Sequence, residues 1–385
     1  MTNADKTDIK SLPVGELQEQ LCELGEPSYR TSQITDWLYK NRVNTIDEMT
    51  DLPRSLSTRL MEKFSLGKID LVRVLGAGDT TQKFLFRLAD GNLIESVLIP
   101  PSPALYGGRS DRRTICVSTQ VGCAYGCKFC ASGLEGFTRN LQANEIVDQI
   151  IAIERAAGEN IDNVVFMGMG EPLANFQNTM RAIRIVNAPW ALGIGARHIT
   201  VSTSGLAPQI RELADEPLQI RLAVSLHGAT DEVRNQIKPI NRKYNIETLL
   251  SACDYYGAYK NQRLTFEYIS IAGVNDADEQ AHLLAQHARR LFAKVNLIPY
   301  NTVEGLEWFR PSRNRQEKFL SILRAHKIVA TLRREKVMTS TPRAVNCDCR
   351  PNASNGIRPC LQSARRLKLE TRAILQQAHR GFISE

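Results

Sequence analysis

The chain changes its hydrophobic period twice. From residue 12 to 65 apolar positions recur at helical spacing: GELQEQLCELG carries leucines three and four apart and stops at Gly25. SYRTSQITDWLYKNR sets Ile34, Trp37 and Leu38 on one face, and RSLSTRLMEKF resumes the pattern after the proline of DEMTDLP. A small helical unit is predicted. Residues 68–99 alternate instead: KIDLVRVLGAG, TQKFLFRLADG and NLIESVLIP read as strands divided by glycine turns, a small antiparallel β patch. PSPALYGGRSDRR, 101–113, is a loop. From Thr114 strands and helices alternate. TICVSTQ, NVVFMGM, ARHITVSTS, QIRLAVSLH, LTFEYISI, AKVNLIPY and KIVATLR are the strands. LQANEIVDQIIAIERAAG, FQNTMRAIRIVNAP, IRELADE, NIETLLSACDYYGAY, DADEQAHLLAQHARRL and RQEKFLSILRAH are the helices between them. About six such units predict an α/β fold, a parallel sheet covered by helices and curled into a full or partial barrel. Four regions are expected: a helical N-terminal domain over 1–67, a β-hairpin extension and loop over 68–108, a barrel core over 109–336, and an atypical basic tail over 337–385.

Composition sharpens this picture. Hydrophobic residues make up 43%, enough for a sizeable core, and no run approaches the length of a membrane span. MTNADKTDIK lacks the apolar region of a signal peptide, so a cytoplasmic location without membrane attachment is expected. Nine cysteines, an odd count in 385 residues, argue against a disulfide-stapled secreted domain. The net charge of +8 favours a polyanionic partner, with a merely solvated surface as the alternative. In the helical unit Lys40, Arg42, Arg54, Arg59 and Lys63 suit a phosphate backbone, but a packing cap on the main domain fits the same residues.

The chemistry gathers at Cys123-Ala-Tyr-Gly-Cys127-Lys-Phe-Cys130. Three thiols spaced four and three apart suit one corner of an iron–sulfur cube, whose full ligation takes four thiolates. With no fourth cysteine nearby, one iron is left for a small molecule bearing amine and carboxylate groups. Tetrahedral zinc, with His198 or His227 as a distant ligand, is the competing reading. Further motifs end successive strands, where barrel chemistry sits. They are Gly168-Met-Gly170-Glu171-Pro172, Ser202-Thr-Ser-Gly205 and Ser225-Leu-His227, together with Asn296 before Pro299-Tyr300. Together they outline a pocket for a polar, nucleoside-like cofactor, with Glu171 placed to receive an ammonium group. Glu95, in the apolar strand NLIESVLIP, reads more readily as a solvated face residue.

At this point the sequence resembles the radical S-adenosylmethionine (SAM) RNA methyltransferases of the RlmN/Cfr group, and RlmN more than Cfr. The shared segments are PSYRTSQITDWLYK, FLFRLADGNLIESVLIP, ICVSTQVGCAYGCKFCASGLEGFTRNL, MGMGEPLANF, ITVSTSG, LAVSLHG and KVNLIPYN, running from about residue 10 to 336. The resemblance implies a radical SAM partial (β/α)6-type barrel. It implies a [4Fe–4S] cluster on Cys123, Cys127 and Cys130, with SAM on the open iron. Gly170, Glu171, Ser202, Ser225, Leu226, His227 and Asn296 match the cofactor contacts, Glu95 the proton acceptor, and Cys116 the cysteine that closes a transient disulfide. The implied reaction is methylation of adenosine at C2 in large-subunit rRNA and certain tRNAs; Cfr-type members act at C8. In the family one SAM methylates a cysteine near the C-terminus and a second supplies the radical that activates that methyl group. A flavodoxin- or ferredoxin-type electron donor and a monomeric state are expected.

One segment departs from the family. After TLRREK its members continue with something like GxDIxAACGQL, whose cysteine carries the methyl group. This chain has VMTSTPRAVNCDC over 337–349, with Ala344 at the cysteine's position. One choice of codons for GHDIDAACGQLRL, read one base later, translates as VMTSTPRAVNCDC throughout, so a reading-frame shift near residue 336 accounts for the departure. As written, the chain is expected to bind cluster and cofactor but to transfer methyl poorly, a methylation-impaired RNA-binding homologue. Cys347 and Cys349 are displaced alternatives as carrier. The tail beyond them is assigned no fold.

Overall fold

The computed structural model describes residues 6–76, 81–101, 112–133, 136–301 and 306–333, all within one structural unit, Met1–Arg334. The tail, including Ala344, Cys347 and Cys349, lies outside the described residues.

The N-terminal helical pattern becomes a cap. β1 (Thr7–Asp8) pairs in parallel with β2 (Phe64–Ser65), and between them run α1 (Val14–Glu23), α2 (Tyr29–Thr35) and α3 (Arg54–Lys63). α2 continues as a π turn over Asp36–Asn41, ended by Arg42 in the left-handed region at φ +58°. The spaced apolar residues Leu17, Leu21, Ile34, Leu38, Leu56 and Leu60 are buried. The cap is fastened to α4 (Ala143–Ala157) by buried charge. Lys10 Nζ donates to Asp148 Oδ1 at 2.5 Å and to the Gly67 carbonyl at 2.7 Å, and Arg42 pairs with Glu154 at 2.6 Å. Burial pushes the Asp148 carboxyl up to about 6 despite Lys10, and leaving one member of such a pair alone costs about 3–5 kcal/mol. Of the five basic residues singled out, Lys40, Arg42, Arg59 and Lys63 pair with Asp36, Glu154, Glu26 and Glu23; Arg54 is exposed. Packing is thus one role these residues serve.

β3 (Asp70–Leu75), β4 (Gln82–Arg87) and β5 (Leu93–Ile99) form the expected antiparallel meander, but they do not stand apart. β5 offers its open edge to β6 (Thr114–Cys116), with Val97 opposite Cys116, so the patch extends the main sheet. TICVSTQ does not run as one strand. It breaks at Ser118, whose N–H and carbonyl are bonded by the fully buried Gln149 of α4 at 2.8 and 3.0 Å. The chain then turns into β7 (Gln120–Gly122), which pairs with β8 (Phe137–Asn140) as a separate ribbon.

From β6 onward the sheet is parallel: β9 (Asn163–Phe166), β10 (Ile199–Thr203), β11 (Arg221–Ser225), β12 (Thr265–Ser270), β13 (Lys294–Pro299) and β14 (Ala330–Leu332). The ten-stranded order, β14-β13-β12-β11-β10-β9-β6-β5-β4-β3, leaves both ends open. The crossovers carry α4, α5 (Phe176–Asn187), α6 (Ala207–Asp215), α7 (Asp231–Ile237) with α8 (Ile246–Lys260), α9 (Asp278–Arg290) and α10 (Arg313–Ala325). The fold is an α/β partial barrel.

Alternation along the strands sorts the two faces. Ile115, Val164, Val201, Leu222, Val224, Phe266, Tyr268, Val295 and Leu297 are at most 1% exposed and pack under the helices. The other face is half-buried and polar. Register ties Cys116 to Val165, Thr200 and Arg221, and, four residues along β11, Ser225 to Glu267, Asn296 and Thr331. Among the described residues no helix is long and apolar enough to cross a membrane.

Candidate active site

The inner face collects residues far apart in sequence. Glu95 lies two residues before Val97, which faces Cys116, so both chemical groups project from one side of the sheet. Ser202, Ser225 and Asn296 share that side through the same registers. The loops after β9 and β11 add Gly170, Glu171, Leu226 and His227 at the C-terminal rim, and the loop from β7 to β8 brings the three cysteines.

Glycine is required where the β9 loop meets β7. A Cβ on Gly170, at φ +95°, would stand 2.5 Å from Gln120 Cβ; one on Gly168 would meet the Val117 carbonyl at 2.7 Å. This close approach seats Glu171, 3% exposed, whose carboxylate accepts from the Leu173 N–H at 3.0 Å and the Ser204 N–H at 2.6 Å. Burial raises its pKa against those bonds. Glu171 is therefore the cap of the short 3₁₀ turn Pro172–Asn175, with lone pairs left for a ligand. Ser118 Oγ donates to the Glu95 carbonyl at 2.5 Å and accepts from the Met169 N–H at 2.9 Å, linking the Glu95 strand to this loop.

His227 is held in the left-handed region, φ +60°. Its Nδ1 accepts from the Ile269 N–H at 3.0 Å, its carbonyl accepts from Asn275 Nδ2 at 2.7 Å, and its ring meets the Phe129 ring edge to face at 4.7 Å. Burial, then the neighbouring Lys238 and Arg234, hold its pKa well below 6.5. The folded state thus keeps a neutral ring that the unfolded chain protonates, so stability falls as pH drops below 6.5. His227→Asn tolerates the same backbone but carries no titrating ring. Between pH 7.5 and 5 the wild type's unfolding free energy is expected to fall more steeply than the variant's, by up to about 1.4 kcal/mol per pH unit, and its melting temperature to fall with it. Parallel melting curves would show the ring to be irrelevant to acid sensitivity.

The cysteine loop is docked on α7, Lys128 N–H donating to the Ile237 carbonyl at 3.0 Å. Burial raises Cys123 to about 11 and raises Cys127; Cys127, Glu171 and Cys130 raise Cys123 further. Beneath the loop Lys238 and Arg234 are fully buried cations. Lys238 Nζ donates to the Ser225 carbonyl at 2.5 Å, and burial pushes it down to about 8, while Cys127 draws it back up. Arg234 Nη2 is buried and has no hydrogen-bond partner among the described residues. Three mutually coupled thiols over two buried cations suit a group that turns the thiols into thiolates and brings net negative charge. A cube ligated through three separate irons fits that donor set.

The zinc alternative does not. Among the described residues no three Cys, His, Asp or Glu side chains converge on a single-ion site. His198 precedes β10, at the opposite end of the strands, with Nδ1 2.7 Å from Asn163 Oδ1, and His227 Nδ1 is already bonded. Among the described residues no disulfide is present, and the carrier segment with which Cys116 would close a transient one lies outside them. The described cysteines, Cys22, Cys116, Cys123, Cys127, Cys130 and Cys253, are free. Burial raises the Cys116 thiol to about 11, with Arg333 acting against it, so it rests protonated.

Other placements correct or extend the sequence reading. Glu95 is exposed and paired with Lys83 at 3.3 Å, as its solvated-face reading anticipated. Asn296 is engaged within the sheet: its Nδ2 donates to Glu267 Oε2 at 2.7 Å and its Oδ1 accepts from Thr331 Oγ1 at 3.1 Å. Glu267, which sequence reasoning passed over, is raised to about 7 by burial, against Asn296 and Arg333. Its signal was a lone carboxylate inside LTFEYISI. Asn275 was also missed; fully buried, it bonds His227, Ile269 and Ile271 and fixes the rim of β11 and β12.

An open barrel with a three-cysteine loop over the strand ends defines a class, and comparison agrees: residues 117–285 match the radical SAM superfamily. Residues 7–66 match the ribosomal RNA large subunit methyltransferase N-terminal domain. The chain is 51% identical over 316 residues to a "Probable dual-specificity RNA methyltransferase RlmN" of Akkermansia muciniphila, covering 82% of this chain and 88% of that protein. It is 52% identical over 330 residues to "Probable dual-specificity RNA methyltransferase RlmN 3" of Opitutus terrae, covering 83% and 88%. The crystal structure of a radical SAM methyltransferase from Sphaerobacter thermophilus superposes with a TM-score of 0.79 at 45% identity, covering 85% of this chain and 95% of that one. The chain belongs to the RlmN family of radical SAM RNA methyltransferases.

Proposed function

We propose that this chain is a radical SAM enzyme that methylates an adenosine at C2 in large-subunit rRNA and in tRNA. Cys123, Cys127 and Cys130 would hold a [4Fe–4S] cluster, and Gly170, Glu171, Ser202, Ser225, Leu226, His227 and Asn296 would surround SAM. The observation that carries this reading is the convergence of those residues, with Glu95 and Cys116, on one sheet face and its C-terminal rim. When bound, the cluster supplies the electron for reductive cleavage of SAM. The protein's part is positioning and proton handling. The exposed Glu95 carboxylate, released from Lys83, would accept the ring proton of the base. Cys116, its thiol raised by burial, keeps its proton until it is needed as a nucleophile, and the charge of Arg333 favours the thiolate. The neutral, pinned His227 ring presents a fixed edge to the cofactor pocket.

The segment 337–349 favours a second reading for the chain as written: cofactor and RNA binding with methyl transfer blocked for want of a correctly placed carrier cysteine. Mass spectrometry of nucleosides from an rRNA fragment incubated with reduced, iron-loaded protein tests both. C2-methyladenosine supports the first reading, cofactor cleavage without base methylation the second, and C8-methyladenosine overturns the assigned position.

A further inference from the structure

We propose that Phe309 is a stacking platform for an unpaired RNA base beside the one that enters the barrel. The proposal rests on the RNA methyltransferase reading above. Phe309 is 70% exposed, and a lone exposed apolar residue would be ordinary. Its position and its foundation are not. Its carbonyl accepts from the Ala272 N–H at 2.9 Å, which fixes this backbone to the turn just past β12. Trp308, half-buried beside it, meets Tyr300 edge to face with centroids 6.2 Å apart. Tyr300 is 1% exposed, and its N–H donates to the Ser270 carbonyl at 3.0 Å, closing the rim between β12 and β13.

Tyr300, Ile237 and Ile271 form a small apolar cluster distinct from the main core, and Trp308 and Phe129 both pack against it. Phe129 lies between Cys127 and Cys130. A large ring is thus displayed to solvent at the mouth of the barrel, and the cluster beneath it is shared with the cysteine loop. An enzyme that works on a base carbon must take that base out of its stack, which leaves a neighbouring base unstacked. An aromatic face at the mouth replaces the lost stacking whatever the base is. Around it the exposed side chains are mixed in charge: Arg310 and Glu307 on the same segment, and Arg313 paired with Glu317 at 3.1 Å, so the ring itself is the binding element.

The test uses the full chain with a large-subunit rRNA fragment carrying 2-aminopurine next to the target adenosine. Phe309→Ala and Phe309→Leu are expected to weaken binding about 5- to 150-fold, the range of one base–aromatic stack. Both should release the fluorescence that the wild type quenches, whereas Phe309→Tyr keeps affinity and quenching. SAM binding without RNA should be equal in all four proteins, which excludes misfolding as the cause. Wild-type affinity and quenching in Phe309→Ala overturn the proposal, as does a Phe309→Leu variant that behaves like wild type. Normal RNA binding with lost reduction by a protein electron donor assigns the ring to a protein partner and also overturns it. Those results leave the methyltransferase reading standing; a wild type that binds no RNA removes both.

Discussion

Replacing VMTSTPRAVNCDC at 337–349 by GHDIDAACGQLRL is expected to raise the yield of C2-methyladenosine at least about 10²-fold over the chain as written, which has Ala344 at the carrier position. β14 is parallel to its neighbour, and Thr331 stands on the inner rung beside Asn296. Arg333 bonds its N–H to the Leu297 carbonyl at 2.9 Å and acts on both Cys116 and Glu267. Position 333, the last described residue, is thus anchored to β13. A carrier at Cys347 is three residues from position 344, about 10 Å of extended chain, whereas a misplacement of about 1 Å already costs roughly 10²-fold. Liquid chromatography of nucleosides after incubation with both proteins checks this. Equal methylation by both would make Cys347 or Cys349 a working carrier and remove the reason to infer a frame shift. Sequencing the coding DNA across codons 330–350 tests that inference independently.

Cys127→Ala is expected to reduce iron and sulfide content to background and to abolish SAM cleavage under strong reductant. Cys22→Ala should leave both unchanged, because Cys22 is an exposed thiol on α1, remote in sequence from the loop. The loss should not be a folding defect. Cys127 is half-buried on a loop, so its truncation is expected to cost about 1 kcal/mol, the scale of an ordinary substitution. Metal analysis beside a thermal melt separates the two effects. Full iron loading in Cys127→Ala would remove this thiol from the ligand set.

The parallel core was legible because its strands are buried and its helices amphipathic: ITVST, RLAVS, TFEYIS and KVNLIP lie where their apolar runs placed them. Two features were not. The break in TICVSTQ depends on Gln149, a polar residue in a distant helix that takes over the backbone bonds of Ser118. α7, only seven residues long, went unread, and with it the buried cations under the cysteine loop. The site was legible as motifs at strand ends. Its connections were not, because Glu267 with Asn296 and Asn275 with His227 are joined by tertiary geometry that spacing does not encode.

If three thiols hold an iron–sulfur cube whose remaining iron takes SAM, electron paramagnetic resonance shows it most directly. The protein is reconstituted with iron and sulfide, reduced, and recorded with and without SAM. About four irons per chain and a spectrum that changes when SAM is added are the expected result. Uptake of zinc in place of iron and sulfide, or a spectrum indifferent to SAM, would contradict it.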